Sequence, residues 1–295
     1  MITIRKNGKF LDYKSFLFPG GEIGLKLKAD NYNYVWDNNP NVVIAHIQNS
    51  ADFMELAMAK DAIRRIDKKN PIYLVLTYLP YARQDRVCDK GEAFSLKVIA
   101  KLIKTLDFEK VFLFDPHSDV APAVFDALDI NIQVFTQFDL INRNLDLVNR
   151  IKNCILVSPD AGANKKTAEI AKYLDHSCFV RADKLRELST GKIKETIVYC
   201  DDFKGQDVAI IDDICDGGRT FIELAKVCKA KNCGKIILYV THGIFSQGVD
   251  TLFNNGIDEI WTTNSFKWFS NNMNPKNDDK VKVLKIEERF PEIFE

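Results

Sequence analysis

The sequence predicts an α/β protein made of two doubly wound domains with parallel sheets. Three observations carry that prediction. Short apolar runs recur at 42–47, 72–78, 111–114, 154–157, 208–211, 236–241 and 259–262, and segments of helical periodicity lie between them. Runs this short and this continuously apolar suit strands buried on both faces, and strands alternating with helices imply parallel sheets. The length, 295 residues, suits two domains of ordinary size. A polar stretch holding Asn142, Asn144, Asp146, Asn149 and Arg150 marks the division, giving an N-terminal domain over 1–145 and a C-terminal domain over 146–295.

Phe18-Pro19-Gly20-Gly21-Glu22 reads as a turn with two glycines. After the 42–47 strand, Phe53, Leu56, Ile63 and Ile66 recur at helical spacing. The 72–78 strand leads to Tyr81-Ala82-Arg83-Gln84-Asp85-Arg86, followed by a helix with Leu96, Ile99, Leu102, Ile103 and Leu106 on one face. The 111–114 strand ends at Asp115-Pro116-His117. The 154–157 strand ends at Ser158-Pro159-Asp160-Ala161-Gly162, before a short helix with Ala168, Ile170, Ala171 and Leu174. A polar stretch opens at Asp183-Lys184-Leu185-Arg186 and runs to Glu195. The 208–211 strand runs into Asp212 and Asp213, then a glycine-containing loop, then a helix with Phe221, Leu224, Val227 and Cys228. Residues 271–279 read as an exposed polar loop, and 281–295 as a short strand with a weak terminal element.

Composition excludes several classes. Hydrophobic content of 46% and charged content of 28% are those of a soluble globular chain. Lys and Arg number 41 against 41 Asp and Glu, so no basic excess argues for nucleic acid, and any anion site is a local concentration of charge. No apolar run approaches a membrane span, and the opening residues lack a secretory pattern. Seven cysteines without a Cys-x-x-Cys pair read as reduced thiols of a cytoplasmic protein. Cys215 lies inside the glycine loop, but carboxylate neighbours raise a thiol pKa, so it reads as packing.

The chemistry gathers after strand ends, where ligands of parallel sheets bind. The loop Asp216, Gly217, Gly218, Arg219 and Thr220, opening a helix, offers backbone N–H groups and a helix N-terminus to a phosphate. Asp212 and Asp213 are wrong for phosphate and right for sugar hydroxyls, so the segment describes a sugar-phosphate pocket. Arg83 and Arg86 at a strand end can grip polyphosphate bidentately; a surface cluster with Asp85 is the plainer reading. A lone His such as His117 is more often structural than a ligand, and Asp160 can simply cap the helix that follows it.

Residues 208–220 resemble the phosphoribosyl-pyrophosphate loop of type I phosphoribosyltransferases and ribose-phosphate pyrophosphokinases. Residues 81–86 look like the ATP signature of the pyrophosphokinases, and 157–162 like the strand–turn of their second domain. The resemblance to ribose-phosphate pyrophosphokinase covers roughly residues 40–265 and implies a type I phosphoribosyltransferase-like fold. It implies Mg²⁺ as cofactor, ATP as co-substrate and a ribose 5-phosphate acceptor. It also implies a homo-oligomer, dimer or larger. By the same resemblance Phe18, Glu22, Arg83, Gln84, Asp85 and Arg86 bind ATP, the hairpin at 18–22 reaching a neighbouring subunit. His117 and Asp160 serve the metal, Lys184 and Arg186 contact the transferring phosphate, and Asp212, Asp213 and residues 216–220 hold ribose phosphate.

Departures from the family pattern stand at Gly20, Pro116, Lys166, Gly217 and Arg219. Gly217 removes a hydroxyl donor and Arg219 adds a cation. A larger acceptor such as ADP-ribose, in NAD metabolism, is therefore a second candidate substrate. The N-terminus reads as lacking the family's opening strand and helix, and the C-terminal helix as nearly absent. Two rival functions remain open at this point. A non-catalytic regulatory paralogue should lack the metal or loop residues, and a type I phosphoribosyltransferase needs no ATP signature.

Overall fold

The computed structural model describes residues 1–28, 39–186, 193–266 and 279–294, with 185, 186, 193 and 194 described by backbone alone. Most of the polar loop expected at 271–279, and Gly191 and Lys192, lie outside the described residues. The chain divides into two compact units. One comprises Met1–Thr136 with Phe290–Glu295, the other Gln137–Arg289. The polar stretch read as the boundary lies within the second unit.

The first unit is built on β1 (Ile2–Lys6), β2 (Lys9–Phe10), β5 (Asn41–Ala45), β6 (Ile72–Leu76), β7 (Lys110–Phe114) and β8 (Ile132–Phe135), in the order β2-β1-β5-β6-β7-β8. Strands β5 to β8 are parallel, and β1 is antiparallel to both its neighbours. A separate hairpin pairs β3 (Tyr13–Leu17) with β4 (Ile23–Leu27). The residues before the hairpin thus carry two strands where the sequence promised none. Every residue of β5 is buried, as expected of a strand covered on both faces. The covering helices are α1 (Ser50–Ile66), α2 (Ser95–Thr105) and α3 (Val120–Asp126). A reciprocal capping box starts α1: the Asn49 side chain accepts the Asp52 amide at 3.0 Å, and the Asp52 carboxylate accepts the Asn49 amide at 3.2 Å. Leu56 and Ile63 of α1 and Leu96 and Ile103 of α2 share one core with Val43, Leu74 and Val111. The C-terminal residues join this unit because the Phe290 ring packs edge-on against Phe114 and Phe135, with centroids 5.3 and 4.6 Å away.

The second unit opens with α4 (Gln137–Asn142) and α5 (Leu145–Ile151). Its sheet has β9 (Ile155–Ser158), β10 (Val180–Arg186), β11 (Ile193–Val198), β12 (Val208–Cys215), β13 (Ile236–Gly243), β14 (Glu259–Thr263) and β15 (Val281–Leu284). The order is β11-β10-β9-β12-β13-β14-β15, parallel except for the β10–β11 pair. A 3₁₀ turn at Ala161–Ala163 leads into α6 (Asn164–Tyr173); α7 (Arg219–Ala230), α8 (Asp250–Phe253) and α9 (Ile286–Arg289) complete the unit. Strand alternation divides the core in two. Val208, Ile210, Leu238 and Val240 face Phe221 and Leu224 of α7; Ala209, Ile211, Ile237 and Tyr239 pack with Ile151 of α5 and Ile170 of α6. This is the doubly wound arrangement the sequence predicts. No helix among the described residues is long and apolar enough to cross a membrane.

Each of the two large sheets carries a polar knot at the amino ends of its strands. In the first unit, Asp67 accepts the side-chain amides of Asn41 and Asn70, both at 2.9 Å, and the Asn70 backbone amide at 3.0 Å. In the second, Arg150 donates to Glu259 at 2.7 Å and lies 3.5 Å from Asp207, while Glu259 also accepts the Trp261 indole at 2.7 Å.

Candidate active-site residues in the two units

In the first unit two loops follow neighbouring parallel strands. Residues 77–94 leave β6, and 115–119 join β7 to α3. Both loops hold residues in left-handed backbone, Tyr81 at φ +63° and Asp115 at φ +40°. Asp tolerates that region; a bulky Tyr does so rarely, and strain of this kind gathers at functional loops. Arg83, Gln84 and Arg86 are exposed, whereas Asp85 is buried. The Asp85 carboxylate accepts the Ser118 hydroxyl at 2.7 Å and Arg86 Nε at 3.1 Å. Burial works to raise the Asp85 pKa, but Ser118, Arg86 and the charge of His117 outweigh it and hold the carboxyl below its ordinary range. Thus Asp85, Arg86 and His117 are brought together, with Ser118 as the link.

Phe18 and Glu22 flank the tip of the β3–β4 hairpin, closed by Phe18 N–H to Glu22 O at 2.8 Å, with Gly21 at φ +89°. Leu17 and Phe18 are exposed, at 69% and 50%. Among the described residues no hydrogen bond or ring contact joins this tip to 81–86 or 115–118. The hairpin displays its apolar tip outward.

In the second unit the glycine loop joins β12 to α7. Gly218 is the N-cap, at φ +75°, and a Cβ there would stand 2.8 Å from Leu252 Cδ2, so both backbone and space require glycine. The loop's carbonyls are taken from behind. The amides of Ile244 and Phe245 donate to Cys215 O at 2.8 and 3.0 Å, and that of Ser246 to Asp216 O at 3.2 Å. The amides of Gly217, Gly218, Arg219 and Thr220 donate to no backbone carbonyl among the described residues, which leaves them for an anion at the helix N-terminus. Arg219 is exposed, and no ion pair engages it among the described residues.

Three carboxylates and two lysines meet beside this loop. Asp160 Oδ1 accepts the Ala163 amide at 3.2 Å, and its Oδ2 accepts Lys184 Nζ at 2.7 Å. Lys166 Nζ lies 3.7 Å from Asp213 Oδ2. Burial, then the charges of Asp213 and Asp160, raise the Asp212 carboxyl well above its ordinary range. Lys184 is nearly buried, with 9% of its side chain exposed. Arg186 closes β10 after a register shift at 185/186; its side chain lies outside the described residues. Cys215 is buried, and its thiol is pushed far up by burial first and by Asp212 and Asp216 second, as befits a packing residue.

Residues 14–106 match the N-terminal domain of ribose phosphate pyrophosphokinase, and 174–292 the phosphoribosyl synthetase-associated domain. The chain is 31% identical over 276 residues to the ribose-phosphate pyrophosphokinase of Aquifex aeolicus, covering 91% of this chain and 82% of that one. It is 30% identical over 236 residues to that of Hyphomonas neptunium, covering 80% and 73%. The chain belongs to the ribose-phosphate pyrophosphokinase family. Its fold resembles the phosphoribosylpyrophosphate synthetase of Mycobacterium smegmatis, with a TM-score of 0.79 at 21% identity over 96% of this chain and 89% of that one. As a member of this pyrophosphokinase family the protein is an enzyme, a transferase.

Mg²⁺, implied by the resemblance, keeps most of its waters and takes one or two protein ligands, and each unit offers a donor that would suit it. Asp160 gives one lone pair per oxygen to hydrogen bonds and keeps the others, and His117 follows β7. Among the described residues no three His, Cys, Asp or Glu side chains form a protein cage.

Sequence reasoning missed the residues that brace the pyrophosphokinase loops. Gln137, buried, donates to Asp212 O at 2.6 Å, and Ser158 Oγ to Asp160 O at 3.0 Å. Buried His242 bonds Ser265 Oγ at 2.8 Å at the end of β13, just before the segment that holds Cys215 O. Phe245 there adopts φ +46°. A signal existed for Phe245 alone: an aromatic in a short loop after a fully buried strand.

Proposed function

We propose that the protein transfers the β,γ-diphosphate of ATP to the anomeric hydroxyl of ribose 5-phosphate. The hydroxyl oxygen attacks the β-phosphorus and loses its proton, the bond to the α-phosphate oxygen breaks, and AMP leaves. The observation that carries this reading is the open amide loop at the start of α7, with Asp212 and Asp213 immediately before it and Lys184 beside them through Asp160. The 5-phosphate binds the loop amides, and the carboxylates hold ribose hydroxyls. Arg83 and Arg86 grip the nucleotide's phosphates, and Lys184, with Arg186, stabilises charge developing on the transferred group. His117 in the first unit and Asp160 in the second are each donors that would hold Mg²⁺, and the ion would supply neutralisation of phosphate charge. Positioning and charge neutralisation suffice for such a transfer, because the protein has little covalent chemistry to perform. Mixing enzyme, Mg-ATP and ribose 5-phosphate should give AMP and phosphoribosyl pyrophosphate in equal amounts. ADP as the stoichiometric product would end this reading.

A second reading has ADP-ribose as the acceptor, and Arg219 favours it. A cation in the first turn opposes the helix dipole, so it gains nothing from its position unless an anion joins it. Gly217 beside it leaves room: a Cβ there would meet only Gln247 Cγ, at 3.8 Å. An Arg219→Gly enzyme should lose ADP-ribose turnover selectively. Equal loss on both acceptors, or no ADP-ribose turnover in the parent, would leave ribose 5-phosphate alone.

A further inference from the structure

The acid in the 81–86 segment is a puzzle for a polyphosphate site. ATP brings several negative charges, and an ionised carboxylate touching them would repel them. Asp85 avoids that contact. It is 6% exposed, and both of its oxygens are occupied by the protein. One oxygen takes Arg86 Nε; the other takes the hydroxyl of Ser118, beside His117 in the next loop. Ser118 is itself anchored, accepting the Val120 amide on Oγ at 3.3 Å and the Ala121 amide on its carbonyl at 3.3 Å. A line of bonds therefore runs from the start of α3 through Ser118 and Asp85 to the Arg86 guanidinium.

The geometry at Arg86 gives this line its purpose. The Arg86 side chain is 76% exposed, while that of Asp85 is 5% exposed. Among the described residues Nε alone is tied down, which leaves the two terminal nitrogens, the pair that grips a phosphate end-on, available on an exposed side chain with a fixed base. A flexible arginine must order its side chain when it binds; one held at Nε has part of that ordering done in advance.

We infer that Asp85 is a positioning residue that aims the Arg86 guanidinium at the nucleotide phosphates and pins it to the His117–Ser118 loop, without touching ATP. The inference rests on the reading of 81–86 as an ATP site. It replaces the expectation that Asp85 itself binds ATP. Asparagine at this position would keep the size and lose the charge, and its amide would face one of two donors. A charged hydrogen bond of this kind changes affinity by about 10-fold or more.

The test is a double-mutant cycle on Mg-ATP binding to the full chain, with steady-state KM values for both substrates. Asp85→Asn should weaken Mg-ATP about 10-fold and leave the acceptor KM unchanged. Placed on Arg86→Ala, it should add little, because the residue it acts through is gone. Ser118→Ala cuts the anchor without touching a charge, and should fall between wild type and Asp85→Asn even if the latter folds poorly. Full additivity of Asp85→Asn with Arg86→Ala, or wild-type ATP affinity in both Asp85→Asn and Ser118→Ala, overturns the inference alone. Wild-type ATP affinity in Arg86→Ala overturns the ATP reading of the segment, and the inference with it.

Discussion

Lys184 and Asp160 hold each other at 2.7 Å, so a substitution at either releases its partner. In the proposed reaction Lys184→Ala removes a nearly buried cation from the place where charge would develop. We expect kcat to fall on the order of 100-fold or more, with much smaller changes in the KM of either substrate. Unchanged kcat in steady-state assays would reduce Lys184 to a structural partner of Asp160. Gly218 offers a different test, because its constraint is backbone conformation rather than charge. Alanine there must accept φ +75° and displace Leu252 Cδ2. We expect Gly218→Ala to lose about 1–2 kcal/mol of stability in urea, with a raised KM for the acceptor. Equal stability would mean that the loop relaxes freely and is not the fixed anion cradle described.

Elements differ in how plainly the sequence announced them. The strands β5, β6, β7, β9, β12, β13 and β14 were legible because both faces are covered, which leaves uninterrupted apolar runs. β1 alternates buried and half-buried residues, β3 is largely exposed, and β10 carries Arg181, Asp183, Lys184 and Arg186, so none reads as a run. Helix α3 has Pro122 in its first turn, and α4 and α5 are too short for periodicity to register. The site divides in the same way. The glycine loop and the arginine segment are contiguous and hence visible. The bonds from Asp85 to Ser118 and from Gln137 to Asp212 link distant parts of the chain that only folding brings together. One junction of elements makes a pH prediction. Asp67, between α1 and β6, is raised by burial but drawn down to about 2 by the Asn41 and Asn70 side chains and the backbone amides of Asn70 and Lys69. Its folded pKa is below its unfolded value of 3.8, so its stabilisation is present above about pH 4 and is lost as pH falls toward 2. Lowering from 3.8 to about 2 corresponds to about 2 kcal/mol. Asp67→Asn should be less stable than wild type by about that amount at neutral pH, and the gap should narrow in acid melts between pH 4 and 2. A gap constant across that range would remove Asp67 as the titrating group.

In the whole molecule, strand direction sorts the polar residues. In each unit the loops credited with chemistry leave the carboxyl ends of parallel strands: 81–86 and 115–118 in the first, Asp160 and 212–220 in the second. The polar knots of Asn41, Asp67 and Asn70, and of Arg150, Asp207 and Glu259, lie at the amino ends. A strand of five residues places roughly 17 Å between its ends, beyond the Debye length of about 8 Å at physiological salt. Changes at one end are therefore felt weakly, as charge, at the other. Mutational drift can tune how firmly either unit is held without disturbing its ligands, and the ligand loops can diversify without loosening the scaffold. Departures at Gly217 and Arg219 fit that separation: the loop proposed to bind the acceptor changes while the amino-end anchors keep the fold.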